Sequence, residues 1–417
     1  MCANRLSSPD GDGHRVFLFL QGPLGPFFRR LGRRLRERGH KVVRVNFNGG
    51  DLFDWPFPGA VNFGGDADSW PAFVRALADR HGVTDVVLIG DCRPLHLAAM
   101  TALRENRPDV RFHVYEEGYL RPDWITLEPE GVNARSMLPR DARAIAAAPE
   151  AHLPSRTAVP MGPATIRMAF RAMFSYFAMF LLKPLFRHYR HHRPDTPVQE
   201  AIHWLRRLGD RRRRVAEALR QEAELLASGK PYYLVLLQLN VDKQIVNHSP
   251  YKSMRDFMAA VMHSFARHAP ADLNLVIKAH PLDNGRDGHA ADVAALVAET
   301  GLEGRVTLID GGTLFNLLGG CRAAITVNST AGISALHRAV PLIALGKAIF
   351  DIEGLCHQKG LDSFWTEPSP VDPGLYHVWR NVVAHRTQVN GSFYLDRGIA
   401  MAIEGSLARL EGHKDRP

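Results

Sequence analysis

Cysteine is scarce. Cys2, Cys92, Cys321 and Cys356 are the four in 417 residues, widely scattered and never arranged as C-x-x-C. That spacing argues against a disulfide scaffold or a zinc site and is compatible with a reducing compartment. The opening stretch MCANRLSSPDGDGHR has no apolar core, so no signal peptide is expected in it. Long apolar runs are also missing. The segment Met173 to Leu182, MFSYFAMFLL, is free of charge but spans only ten residues, whereas crossing a bilayer takes about 20. Repeats and low-complexity tracts are absent as well.

Acidic residues are outnumbered: 43 Asp+Glu against 52 Lys+Arg leave a net charge of +9. An anionic partner follows, either nucleic acid, a nucleotide-bearing small molecule or an acidic membrane face. No helix-turn-helix or RNA-binding signature accompanies the charge, which weakens the nucleic-acid reading, and no nucleic-acid partner is expected. The basic residues instead crowd behind the apolar run, as Arg187-His-Tyr-Arg-His-His-Arg193, Arg206-Arg207 and Arg211 to Arg214. An apolar helix followed by dense positive charge suits an anionic membrane interface. A buried helix with a solvated basic neighbour fits the same letters, and both readings stay open.

What is present is a soluble composition, 46% hydrophobic and 23% charged, with a length that favours two domains. Strands are expected at 15–21, 41–47, 85–90 and 111–115, separated by helices, one of them over about 70–81. After a stretch poor in strand signal, alternation resumes with strands at 232–238, 273–281, 305–310, 323–328 and 341–346. Alternation of this kind builds right-handed βαβ units and parallel sheets covered on both faces. The fold expected is α/β of the GT-B type, two Rossmann-like domains facing a crevice. We divide the chain into an N-terminal acceptor domain (14–125), a helical apolar and basic connection (126–230), a C-terminal donor domain (231–385) and a C-terminal helix or tail (386–417).

In open parallel sheets, ligands bind beyond the carboxyl ends of the strands. In the first half those ends carry Gln21, Gly22, Asn48, Asp51, Asp91, Arg93 and, in EEGYLRP, Glu116, Glu117 and Arg121. Glycine permits close backbone approach, and arginine grips carboxylate or phosphate. Adjacent Glu116 and Glu117 are candidates for acid/base work. The bland alternative pairs one of them with Arg121 to order the loop. In the second half, Gln238 and Asp242 follow one strand, Lys278 and His280 another, and Ser329 and Thr330 a third. The two hydroxyls suit a phosphate or a simple helix cap. His280 suits a phosphate ligand, a general acid or a satisfied polar residue. No metal is expected: Asp66-Ala-Asp68 precedes a helix, and His188, His191 and His192 sit inside an arginine run.

The ordered motifs LQGPLGPFFRRL, VNFNGGD, GDCRP and EEGYLRP resemble the KpsC/KpsS family of capsule polysaccharide biosynthesis proteins. The resemblance runs from about Arg15 to beyond Ala344. It implies a retaining β-Kdo transferase whose donor substrate is CMP-β-Kdo, with no cofactor. For KpsS-type members it implies a lyso-phosphatidylglycerol acceptor at the inner face of the cytoplasmic membrane, with peripheral attachment. KpsC and the capsule export complex are implied partners. The family's Q-x-x-x-D pattern falls on Gln238 and Asp242, which implies Asp242 as nucleophile. Glu117 or Glu116 would then act as acid/base, with His280 assisting. Gln238, Lys278, His280, Ser329 and Thr330 would bind the donor. Gln21, Gly22, Asn48, Asp51, Asp91, Arg93 and Arg121 would serve the acceptor and sugar.

Overall fold

The structure, a computed structural model, describes residues 14–56, 59–191, 209–239, 248–283 and 288–412, with positions 199, 203, 206, 207 and 285. Its first sheet contains β1 (Val16–Phe19), β2 (Lys41–Asn46), β3 (Ala60–Asn62), β4 (Asp85–Ile89), β5 (Arg111–Glu117) and β6 (Trp124–Pro129). The second contains β7 (Tyr232–Leu236), β8 (Asn274–Lys278), β9 (Val306–Ile309), β10 (Ala323–Thr326) and β11 (Leu342–Ala344). A last short strand, β12 (Gln388–Asn390), returns to the first sheet.

The strand orders are β12-β6-β5-β4-β1-β2-β3 and β11-β10-β7-β8-β9. The second sheet is parallel throughout. In the first, β6 turns back antiparallel on β5, and β12 pairs antiparallel with β6. Central strands are apolar without alternation; Val86, Val87 and Leu88 are all fully buried. Such strands need cover on both faces, and helices supply it. This is the two-lobed GT-B arrangement expected from the alternation.

Helix Trp70–His81 turns Trp70, Val74, Leu77 and Ala78 inward and ends on Gly82, whose φ of 64° is left-handed. Helix Phe27–Glu37 buries Phe27, Phe28, Leu31 and Leu35 as its periodicity predicts. Strand β2 ends at Asn46, and the NGGD stretch that follows opens a short helix, Gly49–Asp54, capped by the Asn48 side chain on the Asp51 amide.

The chain's end belongs to the first lobe. Ile399, Ala402, Ile403 and Leu407 of helix Asp396–Leu410 share a core with Phe27, Leu31 and Leu35. Helix Pro373–Thr387 connects the lobes. Its Trp379, Val382 and Val383 lie in one hydrophobic cluster with Tyr119 and Trp124 of the first lobe and Leu234 and Leu336 of the second. The lobes therefore share a continuous apolar seam.

The apolar run is part of helix Thr165–Leu181. Only Ser175 and Ala178 of it are buried, and they meet Gly49 and Gly50. A Cβ at Gly49 would lie 2.2 Å from the Ala178 carbonyl oxygen, and one at Gly50 2.3 Å from Ser175 Oγ. Much of the rest of the helix is exposed. Ile166, Phe170, Met173, Phe174, Phe177 (62% exposed), Phe180 and Leu181 face outward, and Phe174 stacks on exposed Phe53 at 6.5 Å. Among the described residues no helix is long and apolar enough to cross a membrane. Part of the basic tract serves the fold rather than a partner. Arg207 grips Asp310 with two hydrogen bonds of 2.6 and 2.9 Å, and Arg214 adds a third at 3.3 Å.

Candidate functional site

The two glutamates end β5. Neighbouring strand residues point to opposite faces, and their surroundings differ accordingly. Glu117 Oε1 accepts a 3.0 Å hydrogen bond from the Tyr394 hydroxyl. Glu116 Oε1 accepts from the Glu117 amide at 3.0 Å, and its other oxygen lies toward Gly90, where an added Cβ would stand 3.5 Å away. Burial, and next the Glu117 charge, hold the Tyr394 hydroxyl well above the usual tyrosine range. Tyr394 is therefore a dedicated donor to that carboxylate. Arg121 gives its Nε hydrogen to the Gly118 carbonyl at 3.2 Å.

Behind this pair lies a network with no sequence signature. Tyr119 donates to Glu128 Oε1 at 2.7 Å and accepts from the Asn133 amide at 2.6 Å. Ser136 donates to the other Glu128 oxygen. Burial pushes the Glu128 carboxyl up to about 7, against the opposing pull of the Ser136 and Tyr119 hydrogen bonds.

In the second lobe, Gln238 and Asn328 bridge the ends of β7 and β10. Gln238 Nε2 donates to Asn328 Oδ1 at 2.9 Å, and Gln238 Oε1 accepts from the Asn328 amide at 3.0 Å. Lys278 Nζ donates to the Gly311 carbonyl at 2.6 Å, and burial pulls its ammonium below the usual lysine range. His280 Nδ1 accepts from the Leu282 amide at 3.1 Å. Burial, aided by the charges of Arg121 and Lys278, draws its imidazole down to about 4. At neutral pH the ring is uncharged, and the acceptor role at Nδ1 assigns the proton to Nε2. Ser329 Oγ accepts from the Ala331 amide at 3.2 Å, while Thr330 stands immediately before helix Ala331–His337.

Two cavities lie along the crevice among the described residues. The smaller, about 200 Å³, is lined by Glu116, Glu117, Tyr119, Arg121 and Asn133 from one lobe and Gln238, Leu239, His280, Asn328, Ser329 and Thr330 from the other. The larger, about 650 Å³, shares Tyr119, Arg121, His280, Ser329 and Thr330 and extends past Lys278 to Phe315, Arg338 and Arg380. Arg338 lies 3.8 Å above the Phe315 ring. The remaining first-lobe residues singled out in the sequence line neither cavity. Arg93 donates to Gln21 at 2.8 Å, Gln21 donates to Asp51 at 3.3 Å, and Asp51 also binds buried Arg44. Asn48 caps the following helix. A Cβ on Gly22 would stand 2.6 Å from Phe28. Asp91 Oδ2 accepts from the Val132 amide at 3.2 Å. Asp242 lies outside the described residues.

Two Rossmann-like lobes around a polar crevice define a protein with a glycosyltransferase-like GT-B fold. Its relatives give the family. Residues 84–394 match the family described as capsule polysaccharide biosynthesis protein. The chain is 36% identical over 386 residues to the capsule polysaccharide export protein KpsS of Escherichia coli, covering 91% of this chain and 97% of that protein. It is 36% identical over 384 residues to the capsule polysaccharide modification protein LipB of Neisseria meningitidis serogroup B, covering 90% and 91%. Among solved structures, Thermosulfurimonas dismutans KpsC, a beta Kdo 2,7 transferase, matches 95% of this chain and 100% of its own at 15% identity, with a TM-score of 0.47. The chain belongs to the capsule polysaccharide biosynthesis family.

Proposed function

We propose that this protein is a β-Kdo transferase that uses CMP-β-Kdo with retention and starts the poly-Kdo linker of capsular polysaccharide on a lyso-phosphatidylglycerol acceptor. The observation that carries the reading is the smaller cavity, where Glu116 and Glu117 from one lobe meet His280, Ser329 and Thr330 from the other. Carboxylates on one wall and neutral hydrogen-bond donors on the opposite wall suit transfer of a sugar from a phosphodiester to a hydroxyl.

In this scheme the larger cavity takes the cytidine end of the donor, and the His280 Nε2 hydrogen and the two hydroxyls receive its phosphate. The Asp242 carboxylate attacks the anomeric carbon as the bond to the CMP oxygen breaks, leaving a glycosyl-enzyme. Glu117 or Glu116 then takes the acceptor's hydroxyl proton as that oxygen displaces Asp242, so two inversions give net retention. No metal enters the transfer. Loss of CMP release in an Asp242→Ala variant, with CMP binding preserved, is the expected result; undiminished release would remove Asp242 from the scheme.

Attachment to the cytoplasmic membrane from its inner face belongs to the same proposal. The outward row from Ile166 to Leu181 offers apolar area, and exposed Arg187 and Arg190 follow it, a pairing that fits an interfacial helix on anionic lipid. KpsC and the export complex are proposed as partners there. The rival reading is a non-catalytic scaffold for capsule glycolipid export. It predicts that variants at Glu117 and His280 leave capsule formation intact while substitutions at Arg187 and Arg190 abolish it.

A further inference from the structure

Three buried side chains of different chemistry meet where the lobes touch, outside the lining of both cavities. Asp91 and Cys92 follow β4 in the loop that precedes helix Pro94–Asn106. His248 comes from the second lobe, 156 positions further along the chain from Cys92. Cys92 Sγ stands 3.1 Å from His248 Nε2 and 3.2 Å from Asp91 Oδ1. One ligand atom from each residue lies within 4.8 Å of the other two, and all three residues are buried. None of them lines either cavity.

We propose that Asp91, Cys92 and His248 form a binding site for a zinc-class divalent cation that staples the two lobes together. The donor set argues for that class of ion. A thiolate, an imidazole nitrogen and one carboxylate oxygen are a mixed set that suits zinc, whereas calcium and magnesium take oxygen donors. Three protein ligands leave a fourth tetrahedral position for water.

Charge balance argues the same way. On binding, the Cys92 S–H bond breaks, a sulfur–metal bond forms and the proton passes to solvent. A dication with one thiolate, one carboxylate and a neutral imidazole then sums to zero within the ligand set, and the added positive charge of Arg135, 3.8 Å from Asp91, is partly exposed to solvent. The carboxylate is already oriented. Asp91 Oδ2 accepts from the Val132 amide at 3.2 Å, with Arg135 at 3.8 Å, and Oδ1 is left facing the sulfur. Outer hydrogen bonds of this kind are the usual support of a ligating carboxylate. His248 is anchored through its carbonyl, which accepts from the Lys347 amide at 2.8 Å.

The staple acts on position, not on the reacting atoms. Arg93 follows Cys92 directly and donates to Gln21, so a metal at Cys92 would hold this strand-end loop against the second lobe. The scattered cysteines conceal the arrangement, because its third member is distant in sequence and is not a cysteine.

The full-length protein is stripped with chelator and titrated with cobalt(II) and with zinc(II). The expected result is one bound ion per chain, a thiolate-to-cobalt charge-transfer band, and a melting temperature that rises with zinc. In Cys92→Ser the band disappears, and in His248→Ala affinity falls more than about tenfold. Cobalt held without the thiolate band, as the histidines at 188 and 191 would hold it, contradicts the proposal. So does a band that survives Cys92→Ser, or no binding at all. Should either variant fail to fold, the band and stoichiometry of the unsubstituted protein still decide.

Discussion

Tyr394 and Glu117 are joined by a 3.0 Å hydrogen bond across 277 positions of sequence. Because the hydroxyl is buried and held firmly protonated, it acts on the carboxylate as a fixed donor. Tyr394→Phe removes that donor without changing the ring's packing. If Glu117 is the acceptor's base, transfer falls by about tenfold at neutral pH, the scale of a hydrogen bond to a charged group. If Glu116 is the base instead, the rate of transfer is unaltered.

Glu128 makes stability depend on pH with a definite sign. Its carboxyl titrates at about 7 in the folded chain against an ordinary value of 4.5. Between those values the folded state retains a proton that the unfolded state has lost. Its contribution is therefore complete at acid pH and declines as pH rises toward 7, by at most about 1.4 kcal/mol per unit. Glu128→Gln keeps a neutral side chain of similar shape and flattens this slope. Urea unfolding of both proteins across that interval measures the difference.

His280 gives a contrasting prediction for donor binding. An imidazole drawn down to about 4 stays neutral through the physiological range, so CMP affinity is insensitive to this group from neutral pH to well below the ordinary histidine value. A histidine titrating normally would strengthen phosphate binding as pH fell through about 6.5. His280→Ala weakens CMP binding by about 10- to 100-fold, the loss of one donor to a charged ligand. Calorimetric titration at several pH values tests both statements.

The outward face of helix Thr165–Leu181 is tested by charge. Phe174→Glu with Phe177→Glu alters two side chains that are more than half exposed, so the fold should tolerate the change. Co-sedimentation with vesicles containing phosphatidylglycerol should be lost while the melting temperature stays within about 2 °C, as expected for surface substitutions. Retained sedimentation would reassign the face to a protein partner.

The parts readable from sequence are those with a short-range cause. Helix Trp70–His81 follows from Trp70, Val74 and Leu77 at helical spacing and a glycine stop. Strand β7 is an unbroken apolar run. Strands β6 and β12 escape such reading because pairing creates them: β6 follows β5 across the Gly118–Asp123 turn, and β12 is three residues long. The same limit applies to the site. Glu117, His280 and Ser329 stand at strand ends and are legible as such. Asn328 immediately precedes Ser329 and Thr330 and is overshadowed by their hydroxyls, although a strand-end amide is itself a signal. Tyr394, Glu128 and the meeting of Cys92 with His248 depend on how distant segments return, and no local pattern marks them.

Sugar transfer to a lipid can be assayed directly. Purified protein is incubated with CMP-Kdo, generated in place because it decays quickly, and a lyso-phosphatidylglycerol analogue, and the lipid is followed by mass spectrometry. A β-Kdo transferase adds the mass of Kdo to the lipid, and the gain is lost in Asp242→Ala. An unmodified lipid, together with no CMP binding by the folded protein, would contradict the transferase reading and favour the scaffold reading.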